Sequence, residues 1–522
     1  MSAGGRAAQS RVFPSYPDLR LANLTVWDTG KTVDMLLSGS KGAGGDRVPA
    51  GEQNGPVAID CTGLTVAPGF RDPHVHFRDP GQTDKETMSS GSAAAAHGGY
   101  TGVLIMPNTV PALDGAHIDG GFRGYSSVLD YLNDYEIANS CILPVKYALC
   151  AAASRGREGT EASDPEDWQH GLRFPAHPVI AVSDDGASVP ERILPQVLAA
   201  AAHSNIIFID HCEHHDSGVI NDGSVSARLG LPGIPASTES DIVARDVAFA
   251  RRTGVHIHLQ HVSTAASFDI IRRAKAEGIR ITCETAPHYC ALNDTAVELY
   301  GTYAKMNPPL RSEADRQAVL AAIADGTVDM LATDHAPHTE AEKSRSLMDA
   351  PNGIIGLETA YAVAHTVLVD GDIISEARLI ELMAVNPAHL MGDAVFDISA
   401  HAAAGCSVRS LGSERESDAG SPSCPGNGNP VVDLRGMRHH RGYVWGRGGS
   451  TSDGTPDAAA ADLVILDTKR PWTIDSSAFL SRARNTPFNG WDVTGRPAAT
   501  VLDGQLSWAG LIGDIGQDSE RL

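Results

Sequence analysis

The sequence predicts an α/β fold: a (β/α)8 barrel of the TIM type, completed by a small all-β domain built from both ends of the chain. Three observations carry that expectation. Apolar runs ending abruptly in polar residues recur through the middle of the chain; stretches with apolar positions three and four apart separate several of them; and the two ends hold β-segments with Gly-rich turns and no helix. Alternating β and α implies a parallel sheet, and this many units implies closure into a barrel.

Taken in order, LRLANLTVWD, VDMLLSG and PVAIDCTGLTVAPG read as short strands, so residues 1–66 form the N-terminal part of the β-domain. The barrel is expected over 67–398. Its strands are TGVLIMPNT (101–109), PVIAVSDDG (178–186), NIIFIDHCE (205–213), VHIHLQHVS (255–263), IRITCETAPH (279–288) and VDMLATDHA (328–336), with helices at Arg192 to His203, Ser240 to Thr253, Ala265 to Glu277 and Glu313 to Asp325. Arg155 to Pro178 reads as an enlarged surface loop in which SDPEDW starts a helix. Residues 399–461, rich in Gly, Ser, Arg, Pro and Asp, read as a partly disordered insertion, and His439, His440 and Cys424 in it lack regular ligand spacing. ADLVILDTKRPW and PAATVLDGQLSWAG then return within 462–522 to complete the β-domain.

Composition narrows the function. With 522 residues, 42% of them hydrophobic, the chain can bury a large core. A formal net charge of −23 argues against nucleic acid and anionic membranes as partners, since both select basic surfaces. The N-terminal MSAGGRAAQS has no apolar signal core, and no window approaches the roughly 18 apolar residues of a membrane span, so a cytoplasmic location is expected. Eight cysteines without CxxC spacing read as reduced and buried.

Chemistry concentrates in DPHVHFRDPG, Asp72 to Gly81. In an extended strand residues i and i+2 share a face, so His74 and His76 can present two imidazoles to one ion, and Arg78 continues the same alternation. Because parallel barrel strands converge at their C-terminal ends, Asn108, Asp184 or Asp185, His211, His261 and Asp334 are expected to meet these histidines at one mouth. Taken singly, Asp334 could cap a helix, His211 could be a core histidine and Asp184 to Gly186 a turn; together they end too many strands for coincidence. Four histidines and two or three aspartates, with no cysteine, favour Zn2+. An aspartate bridging two ions would lower the pKa of water towards neutrality, and Asp334 can serve as both ligand and general acid/base.

These residues lie in a series of motifs, DPHVHFRDPG, MPNT, SDDG, DHCE, HVST, TDHAPHT, GIIGLE and NTPF, that resembles in order those of bacterial class I dihydroorotases of the amidohydrolase superfamily. The resemblance spans about residues 19 to 510. It implies a β-sandwich as the side domain, two Zn2+ per subunit, and reversible cyclisation of N-carbamoyl-L-aspartate to (S)-dihydroorotate in pyrimidine synthesis. It implies His74, His76 and Asp334 as ligands of the first zinc, Asp185 as the bridging carboxylate by its place in SDDG, His211 and His261 as ligands of the second, and Asp334 as the catalytic acid/base. Arg78, with His76, Asn108 and His338 beside it, would hold the substrate's carboxylate; Asn307, Asn352 and Gly353 would hold the pyrimidine ring. A homodimer and a complex with aspartate carbamoyltransferase also occur among such enzymes.

Two departures stand out. Pro287, His288 and Tyr289 replace the family's Pro-His-His, and Asn352 precedes Gly353 where an apolar aromatic is common. Two other readings are kept. A dihydropyrimidinase, hydantoinase or allantoinase would bridge its metals with a carboxylated lysine, yet PVIAVSDDG has none, and Lys146 lies on the earlier segment ILPVKYAL. A non-catalytic homologue supporting a partner enzyme would have lost metal ligands.

Overall fold

A computed structural model describes residues 18–39, 56–168, 177–214, 218–403, 428–435 and 460–510. The first strand, β1 (Leu19–Val26), buries Leu21, Leu24 and Val26, and pairs antiparallel with β2 (Thr32–Leu37). Along its other edge lie, in parallel, β3 (Val57–Asp60) and β4 (Thr65–Pro68).

The chain then enters the barrel. Its eight parallel strands are β5 (Phe70–Val75), β6 (Tyr100–Ile105), β7 (Lys146–Ala152), β8 (Val179–Ser183) and β9 (Ile207–Asp210), followed, after the two-residue pair β10 (Ile220–Asn221) and β11 (Gly233–Ile234), by β12 (Ile257–Leu259), β13 (Ile281–Thr285) and β14 (Met330–Leu331). All six apolar runs supply a strand, DPHVHF supplies β5, and ILPVKYAL supplies β7. The four expected helices stand at Leu194–Ser204, Ser237–Thr253, Ala265–Ala276 and Glu313–Ala324. Thr264 caps the third by accepting the Ser267 N–H, so the motif carrying His261 ends a strand and opens a helix within four residues.

The ring closes between β5 and the residues after β14. Val75 bridges His335, and the His76 N–H donates to the His335 carbonyl at 2.9 Å. Buried Asp72 reinforces the seam by accepting the backbone N–H groups of His74 and Thr333 at 3.1 and 3.2 Å.

The chain returns to the first sheet through β15 (Val431–Asp433), β16 (Leu463–Thr473), β17 (Asp492–Leu502) and β18 (Gln505–Ala509), giving the order β15-β2-β1-β4-β16-β17-β18 with β3 branching from β1. This sheet encloses its own apolar core, including Leu21, Met35, Val66, Leu463 and Val501. Most of 399–461 lies outside the described residues, His439, His440 and Cys424 included; within that segment β15 extends the sheet beside β2. SDPEDW does not start a helix: Asp164 accepts the Glu166 N–H at 2.9 Å to close a turn, and 169–176 lie outside the described residues. The six described cysteines are all free.

Barrel and sheet are joined at the N-terminal end of the strands by buried charges. Arg71 on β5 pairs with Asp393 at 2.7 Å and with Asp462 at 2.9 Å; Lys146, the first residue of β7, reaches Asp462 at 2.8 Å and Asp503 at 2.9 Å. Removing one member of a buried ionic cluster leaves its partners undercompensated in a low dielectric. Asp462→Ala is therefore expected to lower unfolding free energy by about 3 kcal/mol or more, read as a fall in the denaturant midpoint.

Candidate active site

Parallel strands deliver their C-terminal ends to one mouth, and the expected residues meet there. His74 Nε2 lies 3.1 Å from Asp185 Oδ1 and 3.5 Å from Asp334 Oδ1; His76 Nε2 lies 3.0 Å from Asp334 Oδ1 and 3.4 Å from Asp185 Oδ2. On the other side of Asp185, His211 Nδ1 stands 3.6 Å from Oδ1 and 2.8 Å from His261 Nε2. Two buried groups could each hold a metal ion, His74/His76/Asp185 and Asp185/His211/His261, and Asp185 belongs to both.

Alternation along the strand separates the adjacent aspartates. Asp184 turns away from the mouth and takes the Ser154 N–H at 2.9 Å as well as the Ser154 hydroxyl. Asp185 faces the four imidazoles. Burial works to raise its pKa, yet His74 and His76 hold it well below the usual carboxylate range. Burial also works against a charged His74, but Asp185 and Asp334 raise it well above an ordinary histidine, whereas His261 is pushed far down by burial and by the charges on His211 and His74. His261 Nδ1 is buried without a hydrogen-bond partner among the described residues. Opposed imidazoles around a shared carboxylate suit a divalent cation of borderline softness.

Asn108 braces this group, its Oδ1 2.7 Å from His76 Nδ1 and its Nδ2 3.5 Å from Asp185 Oδ2. Asn307 Nδ2 stands 3.1 Å from His211 Nε2. Three site residues hold left-handed backbone, Arg78 (φ 58°), His261 (φ 34°) and Asp334 (φ 48°), a conformation that costs energy in a non-glycine residue and clusters at functional sites.

Arg78 does not continue the strand alternation. β5 ends at Val75, and Arg78 opens a turn in which its carbonyl accepts the Gln82 N–H at 2.9 Å. Its side chain is buried, and its one described hydrogen bond is a long 3.4 Å contact from Nε to the Pro337 carbonyl. Among the described residues it has no ion-pair partner within 4 Å. Burial lowers its pKa to about 10, against the pull of Asp334 and Asp185. A buried guanidinium with spare donors is a receptor for a carboxylate.

His338 is pushed down to about 3 by burial and by the charges on Arg78 and Lys343, so it is neutral; its Nε2–H donates to the Asn352 carbonyl at 2.7 Å. That donor holds the loop. Asn352 is solvent-exposed, and Gly353 sits at φ +120° with Ala336 Cβ only 2.6 Å from where a side chain would begin, so only glycine fits.

Several supporting residues escaped sequence reasoning. Asn485, from the NTPF motif of the C-terminal segment, donates to the carbonyls of Ala336 and Gly353 at 3.0 and 3.1 Å and accepts the His338 N–H at 3.1 Å. Glu239 accepts the N–H groups of Ser263 and Thr264, while Arg311 bonds Glu213 at 3.0 Å, fixing the backbone beyond His261 and His211. Asn485 lay in the NTPF motif without a role assigned to it, and Glu213 in the DHCE motif that ends β9; Glu239, within the helix Ser237–Thr253, and Arg311 carried no such signal. Lys146 lies at the opposite end of the barrel, committed to Asp462 and Asp503, and is remote from any role between metals.

Asp185→Ala should strip bound metal and activity together, whereas Asp184→Ala should retain metal and lose about 1–3 kcal/mol of stability from the orphaned Ser154. Metal analysis and thermal unfolding of both variants check this.

The amidohydrolase family model matches residues 65–394. A dihydroorotase of Lactiplantibacillus plantarum is 36% identical over 94% of this chain and 98% of its own length, and one of Geobacter metallireducens is 35% identical over 87% and 90%. Among solved structures, an L-hydantoinase (dihydropyrimidinase) from Arthrobacter aurescens superposes with a TM-score of 0.66 at 21% identity, covering 95% of this chain and 96% of its own, and the dihydropyrimidinase of Brevibacillus agri gives 0.66 at 18% over 94% and 95%; these likenesses concern the fold. Convergence of the motif residues at the barrel mouth agrees with the sequence relatives, and the chain belongs to the amidohydrolase family, among its dihydroorotases.

Proposed function

We propose that the chain is a zinc-dependent dihydroorotase that closes N-carbamoyl-L-aspartate to (S)-dihydroorotate with loss of water, and catalyses the reverse. The observation that carries this reading is Arg78, a buried guanidinium without a described counter-ion at the edge of a ligand-lined mouth. Neutral cyclic amides such as dihydrouracil or hydantoin offer it nothing; dihydroorotate offers a carboxylate with matching fork geometry.

His74, His76 and Asp334 would hold one zinc, His211 and His261 a second, with Asp185 between them. Such ions, when bound, polarise a carbonyl and bring the pKa of water near neutrality. In the hydrolytic direction a water oxygen adds to the ring carbonyl carbon beside the ring nitrogen, and Asp334 takes the proton released. The ring C–N bond then breaks, and Asp334 returns that proton to the departing nitrogen. Cyclisation is the same path reversed, a C–N bond forming as a carboxylate C–O bond breaks. Arg78 and Asn108 fix the substrate's carboxylate, while Asn307 and the Asn352–Gly353 backbone border the ring. Lys146 is ion-paired at the other end of the barrel, and among the described residues the carboxylate common to both ligand groups is Asp185, which favours dihydroorotate over the substrates of the hydantoinase-type enzymes.

Asp334→Ala is expected to abolish turnover with the fold intact, because the proton shuttle has no substitute; near-normal activity would remove Asp334 from that role. Arg78→Ala should cut kcat/KM for dihydroorotate about 30- to several-thousand-fold, matching about 2–5 kcal/mol for a desolvated charge pair. Zinc content should be unchanged, and Arg78→Lys should recover only part of the loss. Steady-state assays with dihydroorotate, dihydrouracil, hydantoin and allantoin decide the substrate: equal Arg78→Ala losses on charged and neutral rings would make the residue structural.

A further inference from the structure

Behind the mouth, the barrel interior holds a chain of polar side chains outside the ligand set. Glu284 on β13 is fully buried and lies between two imidazoles, with Oε1 2.8 Å from His74 Nδ1 and Oε2 3.1 Å from His258 Nε2. His258 on β12 continues through Nδ1 to Thr282 Oγ1 at 2.8 Å, and His256 Nε2 meets the same hydroxyl at 2.9 Å. Five side chains thus run from the barrel mouth to the start of β12.

Hydrogen-bond arithmetic gives this chain a direction. A carboxylate only accepts, so both imidazole nitrogens facing Glu284 carry hydrogen. An imidazole that carries one hydrogen, at Nε2, accepts at Nδ1, so in that tautomer the Thr282 hydroxyl donates to His258 and receives the His256 Nε2–H. In that arrangement every hydrogen of the chain points towards Glu284, which fixes a hydrogen on His74 Nδ1 and leaves Nε2, the nitrogen facing Asp185 and Asp334, as the one that would meet a metal. Gln260 Nε2 also approaches His74 Nδ1, at 3.2 Å, but an amide N–H cannot receive the Nδ1 hydrogen.

We propose that Glu284 is the positioning residue that presents His74 Nε2 as a metal ligand, held in place by His258 and Thr282 behind it. This rests on the reading of His74 as a ligand. A carboxylate on the far nitrogen of a ligating histidine fixes ring and tautomer and raises the basicity of the ligating nitrogen. The chain also explains why two acceptor-hungry imidazoles and a carboxylate sit in a barrel interior that Leu104, Met106, Ala148, Cys150 and Ile209 otherwise line with apolar groups.

The test uses the full-length protein, stripped of metal and titrated with Zn2+ alone against a chelator of known affinity. Glu284→Gln keeps the shape but offers an amide N–H2 where one imidazole needs an acceptor; its zinc affinity should fall about 10- to 100-fold, with far-UV circular dichroism unchanged. His74→Ala is the control for the underlying reading. If His74→Ala binds zinc as the unaltered protein does, His74 is not a ligand and the reading beneath the proposal falls. If His74→Ala loses affinity while folded Glu284→Gln does not, the ligand reading stands and the role of Glu284 is overturned. Should Glu284→Gln fail to fold, Thr282→Val removes only the hydroxyl that sets the direction of the chain: weakened zinc binding supports the proposal, and unaltered affinity overturns it.

Discussion

Closure of the barrel between its first and last strands is the constraint on which the site depends. His74 and His76 come from β5, and Asp334 from just beyond β14, about 260 residues later in the chain; they can face one another only if the ring is shut. Closure needs little backbone pairing, because β14 is two residues long and a single bridge joins Val75 to His335. Asp72 supplies the remainder by taking N–H groups from both sides of the seam with one carboxylate. That carboxylate holds His74, the ligand candidate two residues after it, and Thr333, one residue before the acid/base candidate. Architecture and chemistry therefore share a hydrogen-bonding centre.

The mouth is also divided electrically. Its metal-facing half is a balanced set of imidazoles and carboxylates, whereas the Arg78 half keeps a cation in a buried setting with no described counter-ion. Neutral His338 beside Arg78 spends its donor on a backbone carbonyl, so it shapes the loop and leaves the positive charge to the guanidinium. On the proposed reading, discrimination between acidic and neutral rings would fall mainly on the Arg78 side chain.

The strand ends were legible in the sequence because period, polarity and chemistry change at the same residue: apolar runs stop at Asp185, His211, His261 and Asp334. What escaped was held by contacts between distant segments. Glu284 sits within a strand and looks like an ordinary polar residue until β5 brings His74 against it. Asn485 belongs to the NTPF motif, whose role the sequence left open, and only docking of the C-terminal segment on the mouth gives it three backbone partners. Arg78 was placed by extrapolating the strand past its end at Val75, three residues short of it; left-handed backbone at Arg78 opens a turn there instead, with the side chain against the Pro337 carbonyl. SDPEDW had the capping chemistry of a helix start, but the chain uses Asp164 to close a turn.

The β-domain assembles from segments far apart in the chain, and that has a consequence for synthesis. Strands β1 to β4 leave the ribosome first, yet β4 finds its neighbour β16 only after about 395 further residues, roughly 20–80 s at ordinary elongation rates. Throughout that interval the edge of β4 offers unsatisfied backbone groups beside Leu21, Leu24 and Val66, the kind of edge that recruits other strands. The eight barrel strands, all made by Leu331, can close while the sheet still waits for its last four strands. A nascent chain can therefore carry a closed barrel beside a half-built sheet, with a mouth that still lacks Asn485 and the three backbone bonds it makes there.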